Sequence, residues 1–87
     1  MKTPKELGQT IAANVRKRRK AQKLSMQALS EKSGVSYGSL KRFESTGEIS
    51  LVSLLKLAIV LDCTGGLEDL FTQTEIHSIQ EIIDGKV

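Results

Sequence analysis

Tyr37, Gly38, Ser39, Lys41, Arg42 and Ser45 fall within nine consecutive residues and carry forked, point-charge, hydroxyl and aromatic groups of the kinds that meet base edges and phosphates. Arg42 offers a planar fork of donors that fits O6 and N7 of a guanine in two parallel hydrogen bonds. Lys41 offers one mobile charge, suited to a base or a phosphate. Tyr37 can set its ring against a thymine methyl and its hydroxyl on a phosphate, or it can pack against the preceding helix. Ser25, followed by Met26 and Gln27, and Ser36 each stand where a helix begins. Their hydroxyls and the exposed amides behind them suit phosphate oxygens, and such contacts position a protein without reading sequence.

The remaining reactive groups assemble no second chemistry. Cys63 is the lone cysteine, which excludes an intramolecular disulfide and suggests a small core residue in a reducing cytosol. His77 has no Cys or second His at metal-ligand spacing and reads as a surface residue. No acid and base pair, glycine-rich phosphate cradle or metal cluster is spelled out, so neither an enzyme, a metal nor a cofactor is expected. The amino terminus has no apolar run behind its charges, and Leu51 to Leu61 is interrupted by Ser53 and Lys56. Neither a signal peptide nor a membrane span is expected.

Charge is divided unevenly along the 87 residues. Residues 1 to 42 hold eleven Lys and Arg against Glu6 and Glu31, a net of +9, and the rest holds two Lys against eight acids, a net of −6. A basic half beside an acidic one points to one surface for a polyanion and another kept from it. The densest run, Arg16-Lys17-Arg18-Arg19-Lys20 with Lys23, either attracts phosphate or forms a solvated helix face.

These groups need helices to position them. Thr3-Pro4-Lys5-Glu6 is a capping box that starts a first helix running to about Gln22, with Leu7, Ile11 and Val15 as its apolar face. The next residue in that series is Arg19, an arginine aimed at the core. Ser25 caps a second helix, about Met26 to Lys32, with Leu29 inward and small Ala28 and Ser30 beside it. Gly34 supplies a tight turn, and Ser36 caps a third helix, about Tyr37 to Ser45, with Leu40, Phe43 and Glu44 on one side. That leaves Gly38, Arg42 and Ser45 opposite the core, with Ser39 and Lys41 on the flanks. Arg19 and Glu44 both fall on inward faces, where an unpaired charge is costly, so they are expected to pair; the alternative is two snorkelling surface charges.

Ser50 caps a fourth helix, Leu51 to about Leu61, that is apolar nearly all round and is expected at the centre of the core. A short helical turn is expected over Leu67 to Phe71. Thr72-Gln73-Thr74-Glu75 opens a last helix whose Ile76, Ile79, Ile82 and Ile83 form a stripe that either seals the core or joins two chains. The reading is therefore all-α, with residues 1–73 as the functional domain and 74–87 as a carboxy-terminal helix.

The run from Arg19 through Leu24-Ser25-Met26-Gln27-Ala28-Leu29 to Ser33-Gly34-Val35-Ser36, then Leu40-Lys41-Arg42-Phe43-Glu44, Leu54 to Ala58, Leu61 and Leu70-Phe71, resembles the phage-repressor-like (Cro, XRE) helix-turn-helix family. The resemblance implies a compact five-helix lambda-repressor-like domain, here with an additional carboxy-terminal helix. It implies a homodimer on a double-stranded DNA operator with two half-sites, and an ion pair at the positions of Arg19 and Glu44. Three positions depart from the family pattern. Met26 stands where many members carry a phosphate-binding Gln, Gly38 replaces a side chain that often touches a base, and Glu48 replaces a basic loop residue. Fewer side-chain contacts follow, with more weight on DNA shape, amino-terminal charges or a partner protein.

The function these features imply is a cytoplasmic transcriptional regulator, most simply a repressor. Phe43 to Ser50 and the acidic second half also look like antitoxins that accompany HipA-type kinases, which bind operator DNA and hold a partner toxin inactive. An RNA-binding or coactivator module on the same fold is a third alternative, which the outward Tyr37, Lys41 and Arg42 disfavour.

Overall fold

Hydroxyl side chains start every helix of the computed structural model, which describes residues 1–72. The elements run α1 (Pro4–Ala21), α2 (Met26–Ser33), α3 (Tyr37–Thr46) and α4 (Leu51–Val60), with no strand among the described residues. Thr3, Ser25, Ser36 and Ser50 accept hydrogen bonds from the backbone N–H groups of Glu6, Ala28, Ser39 and Ser53, satisfying donors that the first helical turn leaves free. Glu6 closes a capping box by accepting from the Thr3 N–H at 3.2 Å.

Two kinds of stop end the helices. Gly34 and Gly47 take left-handed conformations, φ 77° and 83°, after α2 and α3. α1 and α4 instead end in Schellman turns whose left-handed residues are Lys23, φ 57°, and Asp62, φ 56°. In these turns Leu24 N–H bonds Arg19 O at 3.0 Å, and Cys63 N–H bonds Ala58 O at 2.8 Å. The second turn swings Cys63 to the surface, where its thiol donates to Leu61 O at 3.4 Å, so it is not the core residue expected from its size.

The core consists of Ala12, Leu29, Val35, Leu40, Phe43, Leu57 and Leu61, with Val15, Leu24, Met26, Ile49, Leu54 and Val60 packed around it. α1 lies against α3, and α2 against α3 and α4. Gln22 Nε2 donates to Leu61 O at 2.8 Å and ties the end of α1 to the end of α4.

α1 buries only the second half of the expected stripe, Val15 and Arg19. Leu7 is 50% and Ile11 42% exposed, while Ala12 and Arg19 are buried. The cause is a backbone-to-backbone contact: a Cβ on Gly8 would stand 2.6 Å from Gly47 O, and one on Gly47 2.6 Å from Gln9 N. Only hydrogen at both positions lets α1 approach the turn after α3 this closely, which turns the Gly8, Ala12, Arg19 side inward.

α4 is less central than its composition suggests. Leu57 is its one buried residue, and Leu51, Val52 and Ile59 are each more than three-fifths exposed. Nor is there a fifth helix over Leu67 to Phe71. After Gly65-Gly66 the chain makes successive i to i+3 turns, with N–H groups of Leu67, Leu70 and Thr72 bonded to carbonyls of Thr64, Leu67 and Asp69. A single turn beside two glycines gains too few hydrogen bonds to offset the cost of nucleation. The expected carboxy-terminal helix, with its isoleucine stripe and His77, lies outside the described residues.

Candidate nucleic-acid interface

The turn between α2 and α3 is held by serine side chains. Ser30 Oγ donates to Val35 O at 2.6 Å, Ser33 Oγ accepts from Val35 N–H at 3.1 Å, and Val35 is buried between them. Both backbone groups of the buried Val35 are thereby satisfied within the protein, which ties the end of α2 to the start of α3.

A second lock reaches across the fold. Arg19 donates from Nε to Glu44 Oε2 at 2.9 Å, from Nη2 to Glu44 Oε1 at 3.0 Å, and from Nη1 to Leu24 O at 2.9 Å. The two side chains are only 9% and 7% exposed. One guanidinium thus joins the end of α1, the residue before the α2 cap and the inner face of α3. The fork geometry matches the carboxylate in two parallel bonds, which a lysine cannot reproduce.

With Leu40 and Phe43 buried, Tyr37, Gly38, Ser39, Lys41, Arg42 and Ser45 are all exposed on α3. Tyr37 is 45% exposed, so its ring is available at the start of the helix. At Gly38 a Cβ would meet nothing within 4 Å, so packing places no demand for glycine there and the helix surface is left open to close approach. Ser36 Oγ accepts from Ser39 N–H and donates to Ser39 Oγ at 2.8 Å, so its hydroxyl is spent within the protein. Ser25 also caps its helix, and its neighbour Gln27 is exposed. Met26 is half-buried against the core and shares its other side with the surface.

Two shallow concavities flank α3. One brings Arg16, Met26, Lys41 and Ser45 together above the Arg19–Glu44 pair. The other is lined by Ser39, Arg42, Glu48, Ser50 and Ser53. Lys41 and Arg42, adjacent in sequence and about 100° apart around the helix, therefore serve different flanks of its exposed face. Arg16, read from sequence only as part of a charge run, belongs to the Lys41 side. Its position three residues before the inward Arg19 puts it on that face of α1, a signal the sequence did contain. Lys17, Arg18, Lys20 and Lys23 are exposed along the second half of α1 and its end.

The contact that sequence reasoning missed is between Arg42 and Glu48. Arg42 Nη2 donates to Glu48 Oε2 at 2.6 Å, with the side chains 69% and 65% exposed. The left-handed Gly47 folds the chain back so that Glu48 returns to the side chain six residues earlier.

Among the described residues no three His, Cys, Asp or Glu side chains converge as metal ligands, and no helix is long and apolar enough to cross a membrane. The second and third helices, joined by a turn containing glycine and offering one polar, cationic face, form a helix-turn-helix. A family model described as helix-turn-helix matches residues 15–66, more than half of the chain, and spans this whole arrangement. Comparison with curated proteins and with solved structures returned no match. The chain belongs to the XRE-type helix-turn-helix family of DNA-binding transcription regulators.

Proposed function

We propose that the protein is a repressor that binds a two-fold operator as a homodimer in the cytoplasm, with α3 in the major groove and no enzymatic activity of its own. The observation that carries this reading is the division of α3. Its inner face is anchored by Leu40, Phe43 and the Arg19–Glu44 pair, while Ser39, Lys41, Arg42 and Ser45 stand exposed on the outer face. A helix fixed this way presents base-reading groups with little freedom to lose on binding. Arg42 reads a guanine; Lys41, Arg16 and the starts of α2 and α3 hold phosphates. Dimerisation is supported by Leu51, Val52 and Ile59, exposed apolar side chains on α4, with the half-buried Leu55 between Leu51 and Ile59.

Selection of bound duplexes from random DNA tests the reading. Enriched sites are expected to contain two inverted half-sites separated by about one helical turn, and sedimentation with such a site is expected to show two chains per duplex. No enrichment over the starting pool, or equal affinity for single-stranded RNA, would refute it. The antitoxin-like alternative draws on the exposed acids Glu48, Asp62, Glu68 and Asp69 beside the basic half. Co-purification of a kinase-sized partner, lost on neutralising those acids, would favour it.

A further inference from the structure

Glu48 stands where a DNA-binding surface should repel it, yet the local backbone is built to hold it there. Thr46 Oγ1 donates to Arg42 O at 2.7 Å and accepts from Glu48 N–H at 3.1 Å. The Glu48 carboxylate then accepts from Arg42 Nη2 at 2.6 Å, closing a ring through residues 42, 46 and 48. The main chain of Glu48 is thus fixed by Thr46, which is itself bonded to the carbonyl of the arginine whose side chain Glu48 holds, and the left-handed Gly47 allows the return.

We propose that Glu48 determines specificity by positioning Arg42: it occupies one donor of the guanidinium, opposes phosphate binding by that arginine and leaves it as a reader of bases. The proposal rests on the assignment of Arg42 as a guanine reader. An arginine carries five N–H donors, and Nη2 commits one of its two to Glu48. The other Nη2 hydrogen, both on Nη1 and the one on Nε remain, enough for the parallel pair that a guanine edge accepts. Guanine O6 and N7 are uncharged and tolerate a neighbouring carboxylate. A phosphate brings a second anion to the same guanidinium and must either displace Glu48 or stand beside it, and like charges in contact disfavour both. Glu48 therefore penalises the sequence-independent use of Arg42 more than the sequence-reading use.

Glu48→Gln removes the charge and keeps the shape. Affinities are measured for the best duplex selected by the wild-type chain and for an unselected random duplex of equal length, at several salt concentrations, alone and combined with Arg42→Ala. Glu48→Gln is expected to raise affinity for the random duplex about two- to fivefold, the range an exposed pair can supply. Its log–log salt slope should steepen by about 0.9, one phosphate gained. Affinity for the selected site should rise less, so the ratio of selected to random binding falls. In the Arg42→Ala background the same substitution should leave that ratio unchanged. An unchanged ratio in the wild-type background would overturn the proposal, as would an equal fall without Arg42, which marks general repulsion. If Arg42→Ala alone leaves base preference intact, the assignment of Arg42 as a reader fails, and this outcome is separate from the other two.

Discussion

Replacing Arg19 with alanine removes three hydrogen bonds of 2.9 to 3.0 Å and leaves the Glu44 carboxylate, 7% exposed, without its partner. It also strands Leu24 O at the entrance to α2. A buried pair broken from one side costs about 3 to 5 kcal/mol, most of it from the uncompensated charge. A chain of this size has a stability of roughly 4 to 13 kcal/mol, so the variant should lose a large share of its stability. Urea unfolding followed by circular dichroism measures the loss, with the slope of the transition held constant to show that the denatured state is unchanged. Arg19→Met combined with Glu44→Leu supplies the control: with no charge left to desolvate, the double variant should be clearly more stable than Arg19→Ala. A loss under about 1 kcal/mol for Arg19→Ala would mean that the pair behaves as an exposed one, and the structural role assigned to it would be wrong. A double variant no better than the single would equally refute the charge argument.

Two glycines make opposite predictions. Gly8→Ala forces a Cβ to within 2.6 Å of Gly47 O, so it should destabilise the fold by about 1 to 3 kcal/mol despite the better helix propensity of alanine, as thermal unfolding will show. Gly38→Ala meets nothing within 4 Å and should stabilise the fold by about 0.5 to 1 kcal/mol, while lowering DNA affinity if the duplex approaches α3 closely at that point. Calorimetry and binding titration on the same preparation separate the two effects.

Helix starts and stops were the most legible part of the chain because they are decided locally. Thr3, Ser25, Ser36 and Ser50 cap the helices as their types and positions imply, and each of the four helices ends within a residue of where the pattern placed it. The inward faces of Arg19 and Glu44 could be read because a charge at a core register demands a partner. On α1 the expected face holds at Val15 and Arg19, but in the first half of the helix side-chain bulk is no guide to packing. Leu7 and Ile11 are the larger residues, but the contact that sets the helix is made by Gly8 and Gly47, thirty-nine residues apart, and no periodicity reports a close approach between backbones. α4 misled in the same direction. A helix apolar on every side can be central, or it can face a partner, and sequence does not distinguish the two. Within the interface, the outward set on α3 follows from Leu40 and Phe43 alone, whereas the Arg42–Glu48 pair depends on a left-handed turn that brings residues six apart together.

Whether α3 reads DNA through Arg42 and attracts it through Lys41 is tested most directly by measuring both alanine variants against the selected duplex and its single-base changes, over a range of salt. The structure puts the two side chains on different flanks, Arg42 with Ser39 and Glu48, Lys41 with Arg16 and Ser45. Arg42→Ala should cost about 1 to 3 kcal/mol and relax preference at one base pair in each half-site. Lys41→Ala should weaken every sequence alike and reduce the salt slope by about one unit. Uniform loss in both variants, with every base preference retained, would contradict the assignment of Arg42 as the reader and leave specificity to Tyr37 or to the shape of the DNA.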